Sequence, residues 1–341
     1  MTTAQFTIEN TPDNRYDVSL INGIRRIMTG ELPVIAVDRN SVLIPKNTSV
    51  FHDDFLNHRL AMMPIDNEFL KDENIELINF TCELKNEKEG ILDVLSGDFE
   101  FTHNEKGKLK NLFVSPNILF CRLKFGQEIS VRGSLILGLA KDAGATFSPV
   151  ASPFYTFVKD DKLIQEMKKE MDDKQKKEFT DKNENRVYLK TDKDTPLRYN
   201  FSFDTLGSFE PKTIISNTMT VYREKLEAIK NNIIEKKTDA VFIYEPEVEL
   251  QCLDFKMNKE DDTVGNLIAS YLYYDEEVAY SAYVVPHPLD KTVIVRLSLK
   301  DNNTIENIVK KFLTKVQYLI GLISEFETKI TFSNTNKDKE I

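Results

Sequence analysis

Four side chains in one short stretch invite chemistry: His52, Asp53, Asp54 and His58. Imidazoles and carboxylates together are the donor set of a hydrolytic metal centre or of an acid–base pair. The two histidines are not at the i, i+4 spacing that aims a helical pair at zinc. The pattern suits instead a short helix over 53–63, with Asp53 or Asp54 as N-cap, Pro64 ending it, and the polar groups on an exposed face. A metal-dependent hydrolase built on these four residues is the alternative. His287 lies between Pro286 and Pro288 and reads as a rigid turn, since no Ser, Cys or carboxylate motif beside it makes it a catalytic base. Thr263-Val264-Gly265-Asn266 offers one glycine and no lysine, which is not a phosphate loop. Cys82, Cys121 and Cys252 are far apart and read as small core thiols, not as a disulfide framework or a four-cysteine zinc site. No metal and no cofactor is expected.

The sharpest charged pair is Arg25-Arg26. Residues 18–30 form an amphipathic helical pattern with Leu20, Ile21, Ile24, Ile27 and Met28 on one side and Asn22, Arg25, Arg26 and Thr29 on the other. Gly30 suits the C-cap and Pro33 follows where a helix cannot continue. By pattern alone the arginine side is an ordinary solvated face. Val34 to Ile44 reads as a strand. Residues 74–139 are β-rich; the runs Ile118–Phe125 and Glu128–Leu139 are joined by Gly126-Gln127 in a hairpin-like connection. Ile129, Val131, Gly133, Leu135 and Leu137 alternate as in a half-buried strand.

Residues 159–194 crowd Asp, Glu and Lys together, with Glu170–Lys174 and Asp173–Lys177 spaced to support an exposed helix. They read as a solvated helix or mobile loop, or as a docking insert for a particular partner. Phe201 to Asp204 is a strand, Gly207 a turn, and Ser208 and Pro211 open a helix with the face Ile215, Thr218, Tyr222, Leu226, Ile229, Ile233. After a linker-like stretch at 235–239 come a strand (248–257), a helix (263–274) carrying Val264 and Leu267, and two strands (278–285 and 291–299). The final helix (304–326) buries Ile305, Ile308, Val309, Phe312, Val316, Leu319, Ile320 and Ile323. The tail from Asn334 looks frayed.

The fold class is therefore α+β. Residues 1–41 and 197–238 make one small unit, residues 42–196 a β-rich insert domain, and residues 239–341 a second small unit. Each small unit leaves an apolar helix face wide enough to need a partner, and two such faces can cover each other. The chain has 341 residues, 41% hydrophobic and 29% charged, with a net charge of −10. That balance argues against a free-standing nucleic-acid binder. No apolar run spans a membrane, and Met1 to Gln5 has neither the basic region nor the apolar core of a signal peptide.

Several motifs carry a family resemblance. Ser19 to Met28 with Glu31-Leu32-Pro33, Asn47 to Leu60 leading to Met63-Pro64, Lys124 to Glu128 through Phe147 to Val150, and Phe203 to Pro211 resemble the alpha-like assembly subunit of RNA polymerase. That is the third-largest subunit in eukaryotes, D in archaea and alpha in bacteria. Glu260 to Ile268 and Tyr283 to Leu289 resemble its smaller partner, subunit L in archaea and the eleventh in eukaryotes. A fused D–L chain looks most like the arrangement in large nucleocytoplasmic DNA viruses. Residues 65–110 hold only Cys82, so the metal-binding cysteine cluster of many D subunits is missing.

The resemblance implies a non-catalytic scaffold that binds the second-largest subunit and then the largest. Small zinc-bearing subunits resembling the tenth and twelfth of eukaryotes are further implied partners. It places Asn22, Arg25, Arg26, Asp53, Asp54, His58 and Arg59 toward the second-largest subunit. It places Ile215, Tyr222, Leu226, Ile229, Val264, Leu267, Ile308, Phe312, Val316 and Ile320 in a dimerisation contact within one chain, so that no homodimer is expected. An adaptor outside the polymerase core is the other reading. The implied location is host cytoplasm or nucleus at the site of viral transcription, with packaging in the virion.

Overall fold

Apolar alternation and helical spacing become strands and helices in the computed structural model, which describes residues 2–11, 15–68, 74–191, 194–246, 251–330 and 332–333. In chain order the elements are β1 (Thr2–Glu9), α1 (Val18–Gly30), β2 (Val34–Val37), β3 (Leu43–Asn47), α2 (Asp53–Ala61), β4 (Ile78–Lys85), β5 (Ile91–Leu95), β6 (Glu100–His103), β7 (Gly107–Lys108), β8 (Leu119–Lys124) and β9 (Glu128–Gly138). There follow α3 (Ala140–Ala143), β10 (Val150–Phe157), α4 (Asp161–Lys169), α5 (Asp173–Lys182), β11 (Arg198–Thr205), α6 (Pro211–Ile234) and β12 (Val241–Tyr244). The last are β13 (Leu253–Asn258), α7 (Asp262–Tyr273), β14 (Val278–Val284), β15 (Thr292–Leu299), α8 (Ile305–Lys329) and β16 (Phe332–Ser333). This is the mixed α and β architecture expected. Among the described residues no helix is long and apolar enough to cross a membrane.

The chain divides into two compact units. The first comprises Met1–Thr3, Met28–Ala151 and Asp204–Ile214. Its main sheet runs β2-β9-β4-β6-β7, with β3 also on β9; β5 and β8 form a separate pair. Strand β9 is long enough to hold β2 along residues 135–138 and β3 along 129–132 on one edge, and β4 on the other. The core is aromatic: Phe99 meets Phe113 and Phe120 edge-on, and Phe101 meets Phe113 in the same way. Helix α2 adds Leu56 and Leu60 to it. Asn67 clamps the backbone of Ile35, accepting from its N–H at 2.6 Å and donating to its carbonyl at 3.0 Å.

Four expectations change here. The strand over Val34 to Ile44 is two strands, because the Asp38 carboxylate accepts from Asn40 N–H and its carbonyl accepts from Ser41 N–H, closing a turn. The Gly126-Gln127 turn is real, with Gly126 at φ +78°, but it joins strands of different sheets and not a hairpin. Leu137 breaks the alternation of β9 and is exposed. The cap of α2 is neither aspartate: His52 Nδ1 accepts from Asp54 N–H, leaving Asp53 and Asp54 in the first turn, where carboxylates favour the helix dipole.

The second unit comprises Ala4–Ile27, Ser152–Phe203 and Ile215–Ile341. One sheet has the order β10-β11-β1-β16 and the other β12-β13-β15-β14, both antiparallel where register is defined. Helix α7 lies on the second sheet at Gly265, where any side chain would collide with Val293 and crowd Tyr283. Phe312 of α8 stacks on Phe255 of β13, ring centroids 4.0 Å apart. The acidic and basic run at 161–182 is two short helices. Glu170 caps α4 while Lys174 belongs to α5, so that pair straddles a break; Asp173 pairs with Lys176. Ile164 and Phe179 anchor the two helices, and Glu184 joins Lys159 and Lys168. These two hydrogen bonds hold the Glu184 carboxyl down at about 2.

In this unit two further readings shift and a third lies outside the described residues. Strand β12 precedes the strand expected over 248–257; β13 begins at Leu253, and 247–250 lie outside the described residues. Helix α8 runs on to Lys329, and Ile305, in its first turn, is exposed. The tail from Asn334 lies outside the described residues.

Candidate dimerisation interface

The apolar stripes of α1, α6, α7 and α8 set this site. Leu20, Ile21, Ile24, Ile27 and Met28 of α1 are fully buried. Buried as well are Ile215, Tyr222, Leu226 and Ile229 of α6, Val264 and Leu267 of α7, and Ile308, Phe312, Val316 and Ile320 of α8. Phe312, stacked on Phe255, belongs to the packing of α8 on its own sheet.

Around these stripes, residues before position 239 meet residues after it inside the second unit. Arg223 Nη1 lies 2.8 Å from the Glu327 carboxylate, and Ser216 Oγ donates to the same carboxylate at 2.8 Å. Lys230 Nζ donates to Gln317 Oε1 at 2.7 Å. Rising numbers on α6 match falling numbers on α8, so the helices run antiparallel. Lys225 Nζ lies 2.9 Å from Glu260 Oε2, and both side chains are about six-sevenths buried, at 14% exposure each. Tyr16 sets its ring edge against Phe326 at 5.1 Å. Gln5 and Phe6 of β1 pair with Ser333 and Phe332 of β16.

The ends of α1 and α7 make a reciprocal contact. Asp261 caps α7 by accepting from Thr263 N–H, and Asp17 accepts in the same way from Ser19 N–H at the start of α1. Arg26, in the last turns of α1, reaches the cap of α7: its Nε donates to Thr263 Oγ1 at 2.8 Å and its Nη2 lies 3.5 Å from Asp261. Tyr271, in the last turns of α7, reaches the start of α1: its hydroxyl donates to Arg15 O at 2.6 Å and accepts from Asp17 N–H at 3.0 Å. Burial pushes the Tyr271 phenol well above its ordinary range, so it stays a donor at any physiological pH. The Arg15 guanidinium stacks on Tyr274, 3.6 Å from the ring centre.

The remaining sequence candidates fall in two places. On α1, Asn22 and Arg25 are half-buried, and Arg25 Nε donates to Asn22 Oδ1 at 3.0 Å. On α2, Asp54 and His58 are exposed, and Asp53 accepts from Asn47 at 2.7 Å. Arg59 turns inward, its Nε and Nη2 both donating to Leu119 O at 2.9 and 2.6 Å. Beside these residues Phe51 and Phe55 stack on each other at 4.7 Å while roughly half exposed. Among the described residues no three His, Cys, Asp or Glu side chains converge as a metal site would require. His287 accepts from Leu289 N–H and caps the turn Pro288–Asp290. The cysteines are buried; burial raises the Cys82 and Cys121 thiols to about 12 and about 11.

Sequence reasoning missed Tyr271, Lys225, Glu260, Arg223 and Glu327. The four charged residues flank the apolar stripes, so periodicity gives no signal for them; Tyr271 lies in the buried face of α7, where spacing marks burial but not the bonds of its hydroxyl. The nearest hint was the motif from Glu260 to Thr263, which two basic residues from far upstream now touch.

Comparison with known proteins fits this geometry. The sequence pattern of the RNA polymerase Rpb3/Rpb11 dimerisation domain matches residues 13–226 and again 252–327. The chain is 26% identical over 276 residues to the DNA-directed RNA polymerases I and III subunit RPAC1 of Saccharomyces cerevisiae, covering 63% of this chain and 81% of that protein. It is 36% identical over 155 residues to the RNA polymerase subunit Rpo3 of Pyrococcus furiosus, covering 44% and 56%. With the RNA polymerase II subunit RPB3 of Schizosaccharomyces pombe it shares 25% over 265 residues, covering 68% and 88%. Two matches to one domain type, the first alone covering more than half of the chain, place this chain in the RNA polymerase Rpb3/Rpb11 dimerisation-domain family.

Proposed function

We propose that this chain is the non-catalytic assembly platform of a multisubunit DNA-dependent RNA polymerase. Residues 1–41 with 197–238 act as the alpha-like half, 42–196 as its insert, and 239–341 as the L-like half. The two halves pair within the chain as an intramolecular heterodimer. The observation that carries this reading is the contact of Arg26 with Thr263 and Asp261, which ties the signature helix of one half to the signature helix of the other. The platform docks the second-largest subunit and then the largest, and recruits small zinc-bearing subunits. Asn22 and Arg25 on α1, with Asp53, Asp54 and His58 on α2, are the docking residues for the second-largest subunit. The exposed Phe51–Phe55 stack supports α2 as a docking element in its own right, since exposed aromatic pairs suit interface cores. The joining of both halves on one chain, with its Asn- and Lys-rich composition, supports a large nucleocytoplasmic DNA virus as its setting, with action at the site of viral transcription and packaging in the particle.

The test is to purify the tagged chain from its native setting and weigh what accompanies it. The expected result is one copy each of the largest and second-largest polymerase subunits per chain. A chain that purifies in stable complexes without either catalytic subunit would contradict the proposal.

A further inference from the structure

The reciprocal caps are chemically alike. Asp17 with Ser19 and Asp261 with Thr263 are both an aspartate followed two residues on by a hydroxyl residue, whose backbone N–H donates to the aspartate carboxylate. A surface that repeats its own chemistry can pair with a copy of itself, as two-fold interfaces do. The caps therefore do little to favour the pairing of unlike halves over the pairing of two like ones.

The flanking charges are not alike. The three ion pairs described between the halves are Arg26–Asp261, Arg223–Glu327 and Lys225–Glu260. In every one the cation comes from the first half and the anion from the second. Lys230, which donates to Gln317, follows the same rule of donor and acceptor. Two first halves brought together would crowd Arg223, Lys225 and Lys230 from both copies with neither Glu260 nor Glu327 to meet them. Two second halves would crowd Glu260 and Glu327 from both copies. Lys225 and Glu260 lie mostly out of water, where an unmatched charge is penalised most.

We propose, on the reading that the halves pair within one chain, that this one-way polarity is the specificity determinant of the pairing. Lys225–Glu260 and Arg223–Glu327 act as its two gates, rejecting like halves by repulsion while the caps and apolar stripes supply adhesion. The surface thus fits one kind of partner: a second half of opposite charge, and not another copy of itself.

The experiment uses the full chain with a protease site inserted in the stretch 235–239, cleaved only after folding. Three variants join the wild type: R223E/K225E, E260K/E327K, and the chain with all four changes. Cleaved wild type is expected to stay one particle on gel filtration. Each double variant should lose association of its halves by about tenfold or more, and the fourfold reversal should return to within about threefold of wild type. Mixing the two uncleaved double variants should give a two-chain species, since the acidic halves of one complement the basic halves of the other. If a double variant precipitates, recovery of a soluble, paired fourfold variant supports the proposal equally. Double variants that hold as well as wild type, or a fourfold reversal as weak as the doubles, would overturn it. Wild-type halves that part on cleavage would instead overturn the pairing on which it rests.

Discussion

The Tyr222 side chain fills the space over the α-carbon of Gly23, its hydroxyl and ring standing where any larger residue at position 23 would put its first carbon. Both residues are fully buried, so at this point the Tyr222 ring of α6 packs directly on the bare backbone of α1. Glycine in mid-helix costs roughly 1 kcal/mol of propensity relative to alanine. Here that cost makes room for a tyrosine.

Gly23→Ala should therefore destabilise the protein despite the better helix former. Overpacking of this kind costs roughly 1–3 kcal/mol. Tyr222→Phe in the same chain removes the nearest atom and should recover part of the loss. Urea denaturation of the two single variants and the double decides it. Additive losses would mean that the two positions do not press on each other.

Arg25 and Arg26 should separate. Arg25→Ala leaves Thr263 and Asp261 untouched and should change stability by no more than about 0.5 kcal/mol. Arg26→Ala removes a hydrogen bond to Thr263, and a loss of about 0.5–1.5 kcal/mol is expected. Under the proposed function Arg25→Ala should weaken capture of the second-largest subunit more than tenfold on co-expression. Thermal unfolding beside the pull-down distinguishes the two; equal effects of both variants in both assays would refute the division of labour.

Acid should loosen the second unit through Asp275. Burial raises its carboxyl, but hydrogen bonds from Lys311 and Lys315 outweigh this and hold it down at about 2. An unfolded aspartate titrates near about 3.9. The bound carboxylate thus contributes stability that is full above about pH 4 and fades as pH falls toward about 2. Asp275→Asn should flatten the stability–pH curve in that window while leaving its shape above pH 5 unchanged. Denaturant midpoints measured from pH 2 to pH 6 test this.

Phe312→Ala should be the most damaging of these substitutions. The ring is fully buried and lies parallel to Phe255 at 4.0 Å, with an interplanar angle of 9°. Phenylalanine truncations in cores cost roughly 3–5 kcal/mol. A loss below about 1 kcal/mol would show that the site collapses around the gap.

Where one physical rule dominated, the sequence was readable. The stripe of α1 is wide and regular, and every apolar position named in it is buried. The same holds for α6 from Ile215 to Ile233. Reading failed where a local bond redirected the chain. The Asp38 carboxylate and carbonyl fold Asn40 and Ser41 back and cut a strand in two, and nothing in the apolar run Val34 to Ile44 signals that. His52 holds the cap of α2, a place that N-cap preference assigns to Asp53 or Asp54. Strand β1 was legible but unread: Ala4, Phe6 and Ile8 alternate with polar residues and are buried. At the candidate interface the apolar half was visible as periodicity. The charged half was not, because an ion pair such as Lys225–Glu260 joins residues that no spacing rule connects.

The pairing of β1 with β16 puts a clock on the fold. Gln5 lies opposite Ser333, so a strand near the start of the chain takes its neighbour from a segment roughly 330 residues downstream. At a synthesis rate of about 5–20 residues per second, Gln5 and Phe6 wait about 15–65 seconds before that neighbour has even been made. During that interval the edge of β1 is open to any extended segment nearby, and a nascent chain on the same message is the nearest source. Slow decoding before α8, or crowded ribosomes, would lengthen the exposure without changing a single residue.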